Sequence, residues 1–127
     1  MLNTATTPSL KKILIVEDEG DMCLLLNIML QKDEIELEHV RSLSAAKEFL
    51  ATEEPNLVLL DNKLPDGFGV DFINHIRANH PQIKILMISG FQASAVKDVA
   101  MFAGADGFLE KPFTKDQVYS SVQALLN

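Results

Sequence analysis

The sequence predicts a doubly wound α/β domain, a five-stranded parallel sheet with helices on both faces. Three observations carry that expectation. Short β-rich runs alternate five times with stretches of helical periodicity. The first, third and fourth runs (ILIV, LVLL, IKILMI) are apolar almost throughout, as strands buried on both faces are. Each helical stretch is long enough to cross back over a sheet, and parallel neighbours need such crossovers, which are right-handed.

Taken in order, residues 1–10 (MLNTATTPSL) are polar and are expected to form a disordered N-terminal segment ahead of a single domain over 11–127. Strands are expected at 12–17, 35–40, 57–61, 83–89 and 107–110, each of ordinary strand length. Helices are expected at 20–32, 44–53, 69–79, 93–103 and 114–126. Their ends carry local signals: Thr114 and Gln117 have capping-box spacing, Gly104 suits the left-handed position after a helix, and Pro81 blocks extension past His80. The second run, IELEHV, alternates polar and apolar residues, which marks an edge strand. An edge second strand fits the order 2-1-3-4-5 of the flavodoxin-like class.

Composition bounds the function. The chain has 127 residues, 47% hydrophobic and 23% charged, enough to bury a core without disulfides or a structural metal. The lone cysteine, Cys23, lies in an apolar stretch and reads as a small core residue in a reducing compartment. Neither a secretory signal nor an apolar run of membrane-crossing length is visible, so a cytoplasmic location and no membrane partner are expected. A formal net charge of −7 argues against direct nucleic-acid binding by this chain.

In a parallel sheet all strands finish at one edge, so residues at strand ends meet however distant in sequence. Here those residues are Glu17 and Asp18 after the first strand, Asp61 after the third, Ser89 and Gly90 after the fourth, and Lys111 and Pro112 after the fifth. Any one of them could be ordinary loop polarity; together they describe a crevice. Two carboxylates 4 Å apart repel by on the order of 4 kcal/mol at an effective dielectric of 20. Lys111 offsets one charge, and the residual all-oxygen set suits a hard divalent cation of the magnesium type. His39, His75 and His80 are expected on the edge strand and third helix, away from this crevice.

The segments ILIVEDE, LVLLDNKLPDGFG, ILMISG and AGADGFLEKPF resemble, in order and spacing, the four signature regions of response regulator receiver domains. The resemblance covers about residues 11–126. It implies that Asp61 is the phosphoacceptor, attacking a phosphohistidine to give an aspartyl phosphate. It implies that Asp18, Asp61 and the backbone carbonyl of Lys63 bind Mg²⁺ (or Mn²⁺), with Glu17 acting through a metal-bound water. Lys111 matches the lysine that contacts a phosphoryl oxygen, Ser89 the hydroxyl that moves to it, and Gly90 a small residue that leaves it room. Phe108 matches the aromatic switch residue, and Pro112 a proline usually preceded by a cis peptide. The implied partners are a sensor histidine kinase or a histidine phosphotransfer protein. The chain departs from the common pattern at Glu17, where Asp is frequent, and Lys63 puts a long cation where family side chains influence water access.

The same residues fit other uses less well. An interaction module that is never phosphorylated would not need Asp18, Asp61, Ser89 and Lys111 together. A phosphatase using a β1 aspartate pair lacks its D-x-D, and the Glu17-Asp18-Glu19 run would repel the phosphate of a flavin. The apolar residues of the fourth helix (Val96, Val99, Ala100, Met101, Phe102, Ala103) cannot all face one sheet, so an exposed patch is expected. With the fifth strand and fifth helix, that patch could serve a partner or a homodimer. The last helix runs to the end of the chain, which leaves a stand-alone receiver or a piece of a larger protein as the expectation.

Overall fold

The computed structural model describes residues 10–127. Leu10 is exposed, and the rest of the expected disordered segment lies outside the described residues. The elements are β1 (Lys11–Val16), α1 (Gly20–Leu30), β2 (Ile35–Val40), α2 (Leu43–Thr52), β3 (Leu57–Asp61), β4 (Lys63–Leu64), β5 (Gly67–Phe68), α3 (Gly69–Asn79), β6 (Lys84–Ser89), α4 (Ala93–Ala103), β7 (Gly107–Glu110) and α5 (Lys115–Leu126). The main sheet has the order β2-β1-β3-β6-β7 with every pairing parallel. This is the expected 2-1-3-4-5 arrangement.

Strand periodicity divides the core. Along β3, Val58 and Leu60 point to the face covered by α2, α3 and α4, where they meet Leu50, Ile73, Ile76 and Ala100. Leu57 and Leu59 point to the other face, toward Leu26 and Leu30 of α1 and Val118 and Val122 of α5. All five residues of β3 are buried, whereas β2 at the edge is half-buried along most of its length. Apolar runs and alternating runs thus take the central and edge places that burial on two faces or one would dictate.

The helix ends follow their local chemistry. Thr114 and Gln117 form the reciprocal capping box at the start of α5. Gly104 follows α4 with φ 113°, a conformation that costs a residue with a Cβ. His80 closes α3 before Pro81. At the sheet edge opposite the strand ends, Arg77 ties three elements together: it donates to the carbonyls of Gly104 (2.9 Å) and Ile83 (2.6 Å) and pairs with Asp106, whose carboxylate also accepts the N–H of Ile85 at 2.8 Å.

Boundaries shift by one or two residues from those expected: β1 ends at Val16, α1 at Leu30, and α2 begins at Leu43. The larger difference lies after β3. Residues 63–68 form a small antiparallel hairpin, pairing Lys63 with Phe68 and Leu64 with Gly67. Two-residue strands have no periodicity to detect. Gly69 is the first residue of α3, as expected, and a Cβ there would overlap the carbonyl oxygen of Asp61. Only glycine lets α3 start so close behind β3.

Gly69→Ala is therefore expected to destabilise the domain by about 2–3 kcal/mol. Gly20→Ala, whose added Cβ meets nothing nearer than Arg41 at 3.6 Å, should stay within about 0.5 kcal/mol of wild type. Urea unfolding of the two variants checks both figures.

Candidate functional site

Four of the five strand ends in the main sheet deliver the polar groups. Glu17 carries the β1 ladder one residue further, its N–H donating to the Val40 carbonyl at 3.1 Å, and its side chain is 1% exposed. Asp18 follows, half-buried, with its carbonyl held by the Arg41 guanidinium at 3.0 Å. Asp61 is the last residue of β3 and is 5% exposed; Ser89 is the last of β6 and is 3% exposed. Lys111 lies just beyond β7, where its N–H donates to the Ser89 carbonyl at 2.9 Å.

The ammonium of Lys111 joins the cluster. It lies 3.1 Å from Asp61 Oδ1, 3.2 Å from Glu17 Oε1 and 3.7 Å from Glu19 Oε1. Glu17, Asp18 and Asp61 each offer a carboxylate oxygen, all within 4.8 Å of one another. Above them opens a crevice of about 670 Å³ whose lining includes Asp18, Asp61, Lys63, Ser89, Gly90 and Lys111. Lys111–Pro112 is a cis peptide. Ser89 Oγ donates to the Phe91 carbonyl at 3.3 Å, and Phe108 is half-buried against the core beneath α2, α3 and α4.

Several contacts at the site are not legible in the sequence. Asn62 accepts the N–H of Gly69 on its carbonyl (2.7 Å) and that of Val70 on its side-chain oxygen (3.0 Å), fixing the start of α3 behind Asp61. The Lys63 ammonium stands 5.6 Å from the centre of the exposed Phe91 ring, so a cation–π contact spans the crevice mouth. His39 lies on the edge strand, as expected. It stays outside the carboxylate cluster, but its Nε2 lies 3.1 Å from the Glu17 carbonyl and 2.5 Å from Cys23 Sγ, because β2 pairs directly with β1. Burial and the nearby Glu17 push the Cys23 thiol above its ordinary pKa, in keeping with an inert core position.

The charges explain one another. Burial pushes the Glu17 carboxyl up, and the neighbouring Asp61 pushes it further. Burial also pushes Asp61 up, and Lys111 offsets only part of that effect through its charge and its hydrogen bond. Burial pulls the Lys111 ammonium down, but Asp61 and Glu17 together outweigh it and leave Lys111 above its ordinary value. Three carboxylates against one close cation leave an electron-rich, all-oxygen pocket, the donor chemistry of a hard divalent ion. Soft ligands do not join it: Cys23 and His39 bond behind Glu17, outside the cluster.

Comparison with known proteins agrees with the geometry. Residues 13–123 match the family model of the response regulator receiver domain. The response regulator protein PilR of Pseudomonas aeruginosa is 39% identical over 82% of this chain, and the KDP operon transcriptional regulatory protein KdpE of Escherichia coli is 32% identical over 90%. The chain spans 23% of PilR and 50% of KdpE, so these relatives extend well beyond the shared region. Among solved structures, the CheY-like response regulator receiver domain protein of Methanospirillum hungatei superposes with a TM-score of 0.87 at 27% identity, covering 93% of this chain and 94% of that one. The receiver domain of NtrX from Brucella abortus gives 0.84 at 29% identity, covering 90% and 97%.

Because Glu17 and Asp61 titrate above their ordinary values in the fold, their protonated forms favour the native state. The stability they lend is full below the ordinary carboxyl range and is lost as the pH rises through the raised folded values. Lys111→Met should then cost about 3 kcal/mol at pH 7.5 in metal-free buffer, and clearly less near pH ~4.5, where the carboxyls gain protons. Urea unfolding at the two pH values measures the difference; an equal loss at both would contradict the charge account.

Proposed function

The chain belongs to the response regulator receiver domain family, and from that premise we propose that Asp61 is its phosphoacceptor. The observation that carries the reading is the buried Asp61 carboxylate at the end of β3, 3.1 Å from the Lys111 ammonium and beside the oxygens of Glu17 and Asp18. Receiver domains are signalling domains rather than conventional enzymes. In the proposed step an Asp61 oxygen attacks the phosphorus of a phosphohistidine; the P–N bond breaks and the imidazole nitrogen leaves with its electron pair, to be protonated from solvent. The donor is a sensor histidine kinase or a histidine phosphotransfer protein, and the setting is the cytoplasm.

Receiver domains generally depend on Mg²⁺, and Glu17, Asp18 and Asp61 fit such an ion. Asp18, Asp61 and the Lys63 carbonyl would hold it, with Glu17 acting through a bound water; Mn²⁺ would serve in its place. When bound, the ion supplies charge neutralisation for the transferring phosphoryl group. The chain's own part is positional. Lys111 meets a phosphoryl oxygen, Gly90 leaves space, and Ser89 exchanges its bond to the Phe91 carbonyl for one to the new phosphoryl group. Phe108, on β7, then repacks as Ser89 moves, which alters the face made by α4, β7 and α5.

That face already exposes apolar area. Val99, Met101 and Phe102 are 54%, 43% and 96% exposed on α4. Such a patch suits a target or a second copy in the phosphorylated state. The domain division is proposed on the same footing, with residues 11–127 as the receiver. Nucleic-acid binding is not assigned to this chain.

Incubation with Mg²⁺ and acetyl phosphate, followed by intact-protein mass spectrometry, should show one added phosphoryl group, absent in Asp61→Asn. No adduct with any of several donors would favour a module that binds partners without phosphorylation. In the same samples, sizing should report the larger species only when the adduct is present, and Phe102→Glu should abolish it. Loss of the adduct with time addresses Lys63, whose cation and contact with Phe91 stand at the crevice mouth. Lys63→Ala is expected to change the decay rate by about threefold or more, and an unchanged rate would remove Lys63 from the account.

A further inference from the structure

The turn between β2 and α2 touches both loops that carry the candidate cation ligands. On one side, Arg41 donates to the Asp18 carbonyl at 3.0 Å. On the other, the Asp66 carboxylate accepts the N–H of Leu43 on Oδ1 and that of Ser44 on Oδ2, both at 2.9 Å. The helix has a cap of its own: Ser42 Oγ accepts the N–H of Ala45 at 3.0 Å. The first three amides of α2 are thus shared between a local serine and an aspartate more than twenty residues away in sequence.

An aspartate at a helix start is ordinary when it comes from the residue just before the helix. Here it comes from the tip of the β4–β5 hairpin. That hairpin has two-residue strands, too short to hold a shape unaided, and it carries Lys63. Asn62 fixes one end of it to the start of α3, and Asp66 fixes its turn to α2. The packing is equally close: a Cβ on Gly67 would meet Leu43 Cδ1 at 3.1 Å, and Leu64 is buried in the adjoining core. The two amides hold the Asp66 carboxyl below its ordinary range, in the ionised form that complements the positive end of α2.

We propose that Arg41 and the amides of Leu43 and Ser44 form a clamp across the two loops, and that Asp66 and Arg41 are positioning residues for a divalent cation at Asp18, Asp61 and Lys63. Neither touches the cation. Arg41 sets the main chain at Asp18, and Asp66 sets the hairpin that bears Lys63. The inference rests on the cation reading given under Proposed function. It also separates positioning from simple charge: loss of the Arg41 cation would by Coulomb's law tighten binding of another cation, whereas loss of a positioning contact weakens it.

The test is Mn²⁺ affinity of the full chain, read from the paramagnetic resonance signal of the free ion, in wild type, Asp66→Asn, Asp66→Ala, Arg41→Ala and Ser42→Ala. The two Asp66 variants and Arg41→Ala should each weaken the dissociation constant by about three- to tenfold, somewhat below the effect of partners bonded directly to a ligand. Ser42→Ala, which weakens α2 but leaves Asp66 in place, should stay within about twofold of wild type. The clamp is overturned by wild-type affinity in the Asp66 variants, by tighter binding in Arg41→Ala, or by an equal loss in Ser42→Ala, which would tie affinity to helix stability alone. If wild type itself binds no Mn²⁺, the cation reading fails and the clamp with it; binding by wild type with unaffected variants defeats the clamp only.

Discussion

The contact between the Lys111 ammonium and the buried carboxylates of Asp61 and Glu17 is the constraint on which the rest of the site turns. A parallel sheet forces its strand ends together, and here it forces three acids into one crevice. One nearby cation cannot balance them, which is why burial and mutual repulsion leave Glu17 and Asp61 above their ordinary carboxyl values despite Lys111. A hard cation would relieve that crowding, and an arriving phosphoryl group would find that cation, an ammonium and a hydroxyl around it. The electrostatic stress of the site and its proposed chemistry have one source.

The fold and the site differ in how far the sequence discloses them. Element order and sheet order were legible because the physical signals are strong: continuous apolar runs for strands buried on both faces, alternation in IELEHV for the edge, and cap signals at Thr114, Gly104 and Pro81. The strand-end residues were legible for a related reason, since topology alone brings Glu17, Asp18, Asp61, Ser89 and Lys111 to one edge. What sequence did not disclose depends on tertiary distance. The β4–β5 hairpin is too short for any period, the need for glycine at 69 comes from the Asp61 carbonyl behind it, and Asp66 looks like turn chemistry until α2 is seen to start on it. His39 was placed correctly on the edge strand, but the pairing of β2 with β1 brings its ring to the Glu17 main chain.

The two edges of the sheet are treated differently. Opposite the crevice, Arg77 satisfies carbonyls and Asp106 in a static tie between α3, the start of β6 and the turn before β7. At the crevice edge the ties run between loops: Arg41 to Asp18, Asp66 to α2, Asn62 to α3. Those contacts hold main chain in place, while Lys63, Ser89 and Phe91 line the crevice. The proposed switch would need such a frame around the groups that are to move.

The central claim is that burial, with carboxylate crowding added, holds Asp61 and Glu17 above their ordinary range until a cation arrives. Carboxyl ¹³C resonances followed through a pH titration, with and without saturating Mg²⁺, test it most directly. The account predicts that both carboxyls titrate above the ordinary range in metal-free protein and drop well below it with Mg²⁺ bound. Ordinary titration in the metal-free protein, or no response to Mg²⁺, would contradict it.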